Sequence, residues 1–177
     1  LKILSVVGTR NISSYGKSIC EKLVKDLAAH DVLVVSGLAH GVDIYAHKLA
    51  VDNNIPTVGV LAHGLDRIYP SVNTATAKRM VKNGGLLTDF LSGTNPDREN
   101  FPKRNRIVAG MADATIVVES KEEGGSLITA DIANSYSRDV FAFPGRTDDA
   151  CSRGCNNLIQ QSKAALVQSA SDILRMM

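Results

Sequence analysis

The chain has 177 residues, of which 44% are hydrophobic and 21% charged, with a formal net charge of +2 at neutral pH. This length fits one domain with a sizeable core, and the ordinary composition excludes a disordered or fibrous protein. No apolar run approaches the roughly 18 residues of a membrane span, and the weak net charge restricts nucleic-acid binding to a local cluster of cations.

Short apolar, β-branched segments alternate with helical patterns along nearly the whole chain. The predicted strands are Ile3–Val7, Val32–Val35, Thr57–Leu61, Leu86–Thr88, Thr115–Val118, Val140–Ala142 and Ala165–Val167. The predicted helices are Ser14–Ala29, Asp43–Asp52, Val72–Lys82, Lys103–Met111, Ser126–Tyr136, Asn157–Ser162 and Ser171–Arg175. Because most strands are apolar throughout, helices are expected on both of their faces. The pattern predicts one α/β domain over residues 1–177, with a Rossmann-like, doubly wound and mostly parallel sheet.

Ligands of such sheets bind in the loops that follow the carboxyl ends of the strands. The first loop is Gly8-Thr9-Arg10, in which glycine permits close approach of the backbone, and threonine and arginine offer donors suited to phosphate. A tight turn with a solvated arginine is the alternative.

The third loop follows the third predicted strand and carries Arg67. We expect Arg67 to reach the same ligand crevice as the first loop, with Asp66 orienting the loop. Here a plain turn ended by Tyr69-Pro70 is the alternative.

The second loop begins with Ser36-Gly37 and continues through Gly41 into a helix. Its glycines leave backbone N–H groups free to face an anion. Asp43 and His47 lie four residues apart and with His40 could hold a metal. The simpler interpretation is that Asp43 caps the helix and that neutral histidines satisfy buried backbone groups, so no metal site is predicted.

The fourth loop, residues 95–106, combines four cations, two prolines and Phe101. Lys103, Arg104 and Arg106, with Asn105 among them, follow Pro102 at the amino end of a helix, where cations oppose the helix dipole. That cost is easier to understand if an anion completes the site. An aromatic ring beside arginines also suits single strands, because bases stack on the ring and cations neutralise the backbone. A solvated helix face with Phe101 in the core is the alternative.

The fifth loop contains Gly124-Gly125-Ser126, a second helix start suited to an anion, with Ser126 as the predicted cap. Glu119, Glu122 and Glu123 stand beside it and would repel a phosphate. We therefore expect some of these acids to point away or to pair with the basic loop.

No Ser/His/Asp order and no Cys/His pair indicates a nucleophilic site, so no catalytic residue is predicted. The three cysteines, Cys20, Cys151 and Cys155, are expected to be thiols of a cytoplasmic protein.

Taken in order, the loops resemble the central domain of the DNA-processing protein A (DprA, or Smf) family. The matching segments are Val7-Gly8-Thr9-Arg10; Val35-Ser36-Gly37-Leu38-Ala39 with Gly41-Val42-Asp43 and Ala46-His47; Gly64-Leu65-Asp66 with Tyr69-Pro70; Phe101-Pro102 with Arg104-Asn105-Arg106-Ile107; Gly124-Gly125-Ser126-Leu127 with Thr129-Ala130; Phe143-Pro144-Gly145; and Gly154 with Asn156, Leu158 and Ile159. One such motif is weak, but seven in order are a specific signal.

The resemblance implies a protein of natural transformation that binds and protects incoming single-stranded DNA and helps to load the RecA recombinase. It also implies a homodimer without a cofactor, and a DNA pocket lined by cations and a stacking aromatic. Carried to matching positions, these are Arg10, Arg67, Phe101, Lys103, Arg104 and Arg106. The helical amino-terminal and winged-helix-like carboxyl-terminal modules of many members are not represented in this sequence, so their DNA contacts are not expected from it.

Two other functions remain open at this stage. One is a phosphoribohydrolase acting on nucleoside monophosphates, a class with a Pro-Gly-Gly-x-Gly-Thr turn and a glutamate soon after it. Here the turn starting at Glu123 has neither that proline nor the third glycine, and Asp131 follows it. The other is a module that senses a small nucleotide.

Overall fold

The computed structural model describes all residues from Leu1 to Met177 and contains one seven-stranded sheet flanked by seven α-helices. The strands are β1 Lys2–Val7, β2 Val32–Ser36, β3 Thr57–Val60, β4 Gly84–Leu87, β5 Ala114–Val117, β6 Asp139–Ala142 and β7 Ala165–Leu166. The helices are α1 Ser14–Leu27, α2 Val42–Asp52, α3 Thr74–Met80, α4 Asn100–Met111, α5 Gly125–Ser135, α6 Arg153–Gln160 and α7 Ala170–Met176.

The strand order is β4-β3-β2-β1-β5-β6-β7, and every neighbouring pair is parallel. All seven predicted strands are present, and the predicted Rossmann-like α/β domain is confirmed. The order reverses between β1 and β5, which are neighbours in space although three strands and four α-helices separate them along the chain. A crevice forms at such a switch point because the loops after the two strands leave toward opposite faces of the sheet.

Apolar side chains fill both faces of the sheet, as their unbroken runs predicted. One face is covered mainly by α1, α2 and α7 around residues such as Leu4, Leu23 and Ile173. The other is covered by α4, α5 and α6 around residues such as Val108 and Ala130. No helix is long and apolar enough to cross a membrane. The three cysteines are free, as predicted.

Several helix boundaries differ from the prediction. The segment predicted as Val72–Lys82 is a 3-10 turn, Ser71–Asn73, followed by α3. Helix α4 begins at Asn100 rather than Lys103, which places Phe101 and Pro102 in its first turn. Proline is tolerated there because the first N–H groups of a helix have no intrahelical acceptor. The earlier start adds Phe101 to the helix face that Arg104 and Asn105 share, three and four residues further on.

Candidate nucleic-acid interface

A cleft of about 320 Å³ lies at the carboxyl ends of β1 and β5 and is walled by the loops after β1, β2 and β5 and by α4. We call it the switch-point cleft. Most residues predicted for the binding site line it. These are Gly8, Thr9, Arg10, Gly37, Phe101, Arg104, Asn105, Gly124, Gly125 and Ser126. The cleft therefore brings together four of the five loops that the sequence analysis selected.

The loop that carries Arg10 is held on both sides by backbone contacts. The Thr9 N–H donates to Glu119 O at 2.8 Å, and the Val42 N–H donates to Thr9 O at 3.1 Å. Gly41 has a φ of +80°, and a side chain there would come within 2.6 Å of the Arg10 Cα. This position requires glycine because both the left-handed backbone and the close approach exclude a Cβ. The clamped loop presents the exposed Arg10 side chain at the rim of the cleft.

Phe101 lies between cations rather than in the core. Its ring centroid is 5.5 Å from Cζ of Arg10, 5.8 Å from Cζ of Arg104 and 6.3 Å from the Tyr69 ring. The ring is half-buried and belongs to none of the three hydrophobic clusters. Guanidinium groups within about 6 Å of a ring stabilise its position by cation–π attraction. The two arginines therefore hold the aromatic ring at the mouth of the cleft.

Arg104 was predicted as a DNA-binding cation, and it lines the cleft from a buried position. Its side chain is only 6% exposed, its Nη1 donates to Val60 O at 2.6 Å and its Nε donates to Asn105 Oδ1 at 3.1 Å. Burial lowers the pKa of Arg104, and the nearby Asp43 opposes that shift. Arg104 forms part of the cleft floor, where a charge acts through a medium of lower dielectric than at the surface.

Asp43 is also part of the floor and not the helix cap that was predicted. The cap position of α2 is Gly41, and Asp43 lies in the first turn with 9% of its surface exposed. A Cβ on Gly37 would overlap the Asp43 carboxylate and lie 2.7 Å from Nη1 of Arg104. Gly37 thus leaves room for an acid and a base side by side. Burial raises the pKa of Asp43 to about 6, against the opposing effect of Arg104.

His47 supports this floor from below. Its Nε2 lies 2.6 Å from Gly37 O and its Nδ1 lies 2.7 Å from Thr57 Oγ1. A carbonyl oxygen only accepts, so Nε2 carries the proton and Nδ1 accepts from the threonine. Burial lowers the pKa of His47 to about 4. The neutral ring therefore fixes the position of the Gly37 carbonyl through this hydrogen bond. No group of three His, Cys, Asp or Glu side chains could hold a metal ion.

The amino end of α5 also lines the cleft, next to Asn105 of α4, but Ser126 does not cap it. The cap residue is Gly124, which has no side chain to bond the helix, and Ser126 Oγ donates to Ser120 Oγ at 2.9 Å. The N–H groups of Gly125 and Ser126 make no hydrogen bond within the protein. Both residues line the cleft, so these free donors and the positive end of the helix dipole are available to an anion.

The acids beside this turn diverge, as expected, although none pairs with the basic loop. Glu119 is 1% exposed and accepts from the N–H and hydroxyl of Ser13, the cap residue of α1. Glu122 lies 3.8 Å from Arg153. Of the three acids, only Glu123 lines the cleft. The negative charge at the phosphate-facing wall is therefore smaller than the sequence suggested.

Four predicted residues lie outside the switch-point cleft. Ser36 is fully buried and donates to Val6 O at 2.6 Å. Arg67 is exposed and bonded to Asp66 and Asn95, and Arg106 is paired with Asp89. Lys103 is exposed on α4 and has no ion pair. The three cations belong to the outer surface around the cleft.

Helical spacing explains this division of α4. The cleft-lining residues Phe101, Arg104, Asn105 and Val108 follow the i, i+3, i+4, i+7 spacing of one helix face, whereas Lys103 and Arg106 fall on others. The sequence analysis missed Asp43, Ser120 and Thr129, which also line the cleft. For the residues of α4, the helical spacing was the signal in the sequence that separates the cleft-lining side chains from Lys103 and Arg106. Asp43 and Thr129 stand in two of the segments that match the family, Gly41-Val42-Asp43 and Thr129-Ala130, whereas for Ser120 the local sequence carries no signal.

Comparison with known proteins agrees with this arrangement. The family model described as DNA recombination-mediator protein A matches residues 1–177. DNA processing protein DprA of Bacillus subtilis is 41% identical over 170 residues, which are 96% of this chain and 57% of that protein. The Streptococcus pneumoniae DprA is 40% identical over 171 residues, which are 97% of this chain and 60% of that protein. The chain thus spans somewhat more than half the length of these relatives.

Solved structures give the same result in three dimensions. DprA from Streptococcus pneumoniae superposes with a TM-score of 0.90 at 39% identity, covering 99% of this chain and 61% of that one. The Helicobacter pylori protein, which has a described single-stranded DNA binding mode, superposes at 0.89 with 27% identity over 99% of this chain and 79% of that one. A molybdenum cofactor binding protein from Rippkaea orientalis superposes with a TM-score of 0.67 at 16% identity, covering 99% of this chain and 94% of that one. This likeness concerns the fold alone. Since the family model matches the whole chain and the identities persist at about 40% over nearly all of it, this chain belongs to the DNA recombination-mediator protein A family.

Proposed function

We propose that this chain binds single-stranded DNA at the switch-point cleft and is not an enzyme. The observation that carries the proposal is the meeting of Arg10, Phe101 and the uncapped start of α5 around one cleft. The α5 N–H groups and Arg10 suit a backbone phosphate, and the edge and exposed part of the Phe101 ring suit contact with a base. The single-stranded DNA binding mode described for the Helicobacter pylori relative supports this choice of ligand.

The exposed cations outside the cleft extend the proposed interface. Lys103, Arg67 and Arg106 stand on the surface around Phe101 or on the neighbouring loops, where a strand leaving the cleft would pass. Arg67 and Arg106 would exchange their acid partners for phosphates, and exposed ion pairs of this kind contribute only about 0–1 kcal/mol. Their existing pairs therefore do not prevent such an exchange.

The test compares a single strand with the matching duplex at two salt concentrations. Tighter binding of the single strand is expected, with a slope of log affinity on log salt of roughly −0.7 for each phosphate neutralised, and about three to five such phosphates. Equal affinity for strand and duplex would contradict the proposal.

Replacing Arg10 with alanine tests the cleft itself. Arg10→Ala should weaken binding, while unfolding changes by less than about 0.5 kcal/mol because the side chain is exposed. Arg138→Ala is the matched control, since Arg138 is equally exposed but precedes β6 at the opposite edge of the sheet. A weakening by both variants alike would show that only overall charge matters. A large loss of stability in Arg10→Ala would make Arg10 a structural residue.

We further propose that the protein protects incoming strands, helps to load RecA in natural transformation and acts as a homodimer. The first two activities rest on family membership. For the dimer, the edge strand β7 is exposed on both residues, with Leu166 47% exposed. An unprotected edge strand can pair with a second copy. Sedimentation that shows only monomer at tens of micromolar, a rough range for modest interfaces, would count against the dimer.

A second candidate function is binding of a small nucleotide, favoured by the size of the cleft. At about 320 Å³ it falls at the lower end of small-ligand pockets, roughly 300–1,000 Å³. Titration with nucleoside monophosphates, beside an assay for their turnover, distinguishes this function from strand binding. Tight binding of a free mononucleotide with no measurable affinity for single strands would favour the second candidate.

A further inference from the structure

The floor of the switch-point cleft holds two buried charged groups that offset the cost of each other's burial only in part. Asp43 and Arg104 are 9% and 6% exposed and flank Gly37. None of the eight ion pairs of the molecule joins them. Nη2 of Arg104 makes no hydrogen bond within the protein, since only Nη1 and Nε are engaged. Both side chains line the cleft, so their unused hydrogen-bonding capacity faces the ligand.

Because burial outweighs the attraction between the two groups, contacts from a ligand to Asp43 and to Nη2 of Arg104 would stabilise both charges further. That ligand must present N–H donors to the carboxylate beside an acceptor for the guanidinium. Guanine does so along its Watson–Crick edge: N1–H and the N2 amino group can both bond to one carboxylate, while the adjacent O6 accepts from arginine. Adenine, cytosine and thymine each offer the carboxylate a single donor group. The floor is therefore more complementary to guanine than to the other bases.

The dimensions and walls of the cleft agree with one nucleotide bound base-inward. The volume of about 320 Å³ accommodates one unit of a strand rather than several. The free N–H groups of Gly125 and Ser126 line the same cleft and could bind the phosphate of that nucleotide. In a single strand the base needs no unpairing, so turning it into a pocket is inexpensive.

We propose, on the basis of the function proposed above, that the cleft receives one nucleotide of the strand and that Asp43 and Arg104 select guanine at that position. Asp43 accepts from N1–H and the N2 amino group, and Arg104 Nη2 donates to O6. The remaining nucleotides contact the surface through their backbone and contribute no comparable selectivity. Asp43 is the specificity-determining residue of this site.

The experiment measures binding of oligothymidine strands that carry one central dG, dA, dC or deoxyinosine. The strand with dG should bind about tenfold more tightly than the all-thymidine strand, the size expected for one well-placed bidentate base contact. Deoxyinosine lacks only the N2 amino group, so its strand should bind less tightly than the dG strand. Equal affinities for all five strands would overturn the inference while leaving single-strand binding intact. Binding of none of them would refute the proposed function, and the inference with it.

The matching protein variant is Asp43→Asn, which keeps the size of the side chain and removes the second acceptor. It should bind the dG, deoxyinosine and all-thymidine strands with equal affinity. Glu122→Gln removes the same charge from an exposed side chain outside the cleft and should retain the dG preference. An Asp43→Asn protein that still prefers dG would refute the role of Asp43. If this variant fails to fold, the comparison of dG with deoxyinosine on the unaltered protein still decides the question.

Discussion

Asp43 and His47 should have opposite and nearly cancelling effects on stability between pH 6.5 and pH 4. Burial raises the pKa of Asp43 from 3.8 to about 6, and it lowers the pKa of His47 from 6.5 to about 4. On acidification the folded state binds a proton at Asp43 that the unfolded state does not yet bind, which stabilises the fold. Over the same range the unfolded state binds a proton at His47 that the folded state does not bind, and this difference destabilises the fold.

The magnitude follows from the size of the two shifts. Each pKa unit corresponds to about 1.4 kcal/mol, so a shift of two units or slightly more is worth about 3 kcal/mol. The unaltered protein should therefore show little change in unfolding free energy from this pair. Between pH 6.5 and pH 4 neither titration runs to completion, so each group contributes somewhat less than its full shift, about 2 kcal/mol. Asp43→Asn leaves His47 uncompensated and should lose about 2 kcal/mol relative to the unaltered protein over this interval. His47→Gln, whose amide can still donate to Gly37 O, should gain about 2 kcal/mol.

Urea unfolding at several pH values between 6.5 and 4 measures both differences. Referring each variant to the unaltered protein at the same pH cancels the contribution of the other carboxylates. The decisive quantity is the change of the unfolding free energy with pH, because the absolute stability of each variant also depends on how Arg104 adjusts. Curves for Asp43→Asn and the unaltered protein that run parallel would refute the raised pKa of Asp43. Parallel curves for His47→Gln would likewise refute the lowered pKa of His47.

Three further substitutions separate binding from folding on α4. Phe101→Ala should cost about 1–3 kcal/mol of single-strand binding without changing the salt dependence; a loss of roughly 3–5 kcal/mol of stability would instead place the ring in the core. Lys103→Ala should reduce the slope of log affinity on log salt by roughly 0.7 and leave the melting temperature unchanged, and an unaltered slope would remove Lys103 from the interface. Arg104→Ala should destabilise the fold by about 1–3 kcal/mol, because Val60 O loses its buried donor, and a variant as stable as the unaltered protein would contradict that role.

The amino-acid sequence alone was sufficient to predict the elements and the position of the site. Unbroken apolar runs between helical patterns predicted all seven strands, since this periodicity is a local property of the chain. Glycines, cations and Phe101 after those strands indicated the binding loops, because parallel strands bring their carboxyl-end loops to one edge of the sheet. Ten of the fourteen predicted residues line the cleft for that reason.

Only the tertiary structure decided the role of each side chain within those loops. Lys103 and Arg104 are adjacent in sequence, yet Lys103 is exposed and Arg104 is only 6% exposed. Neighbouring residues of a helix point in different directions, and the packing of α4 against the sheet decided which of the two is buried. Asp43 and Ser126 have the composition of helix caps, but glycines occupy both cap positions, and packing against Arg104 and Ser120 turned the two polar side chains elsewhere. The direction of a side chain depends on neighbours that are remote in sequence, and the strand order that placed β1 beside β5 determined those neighbours.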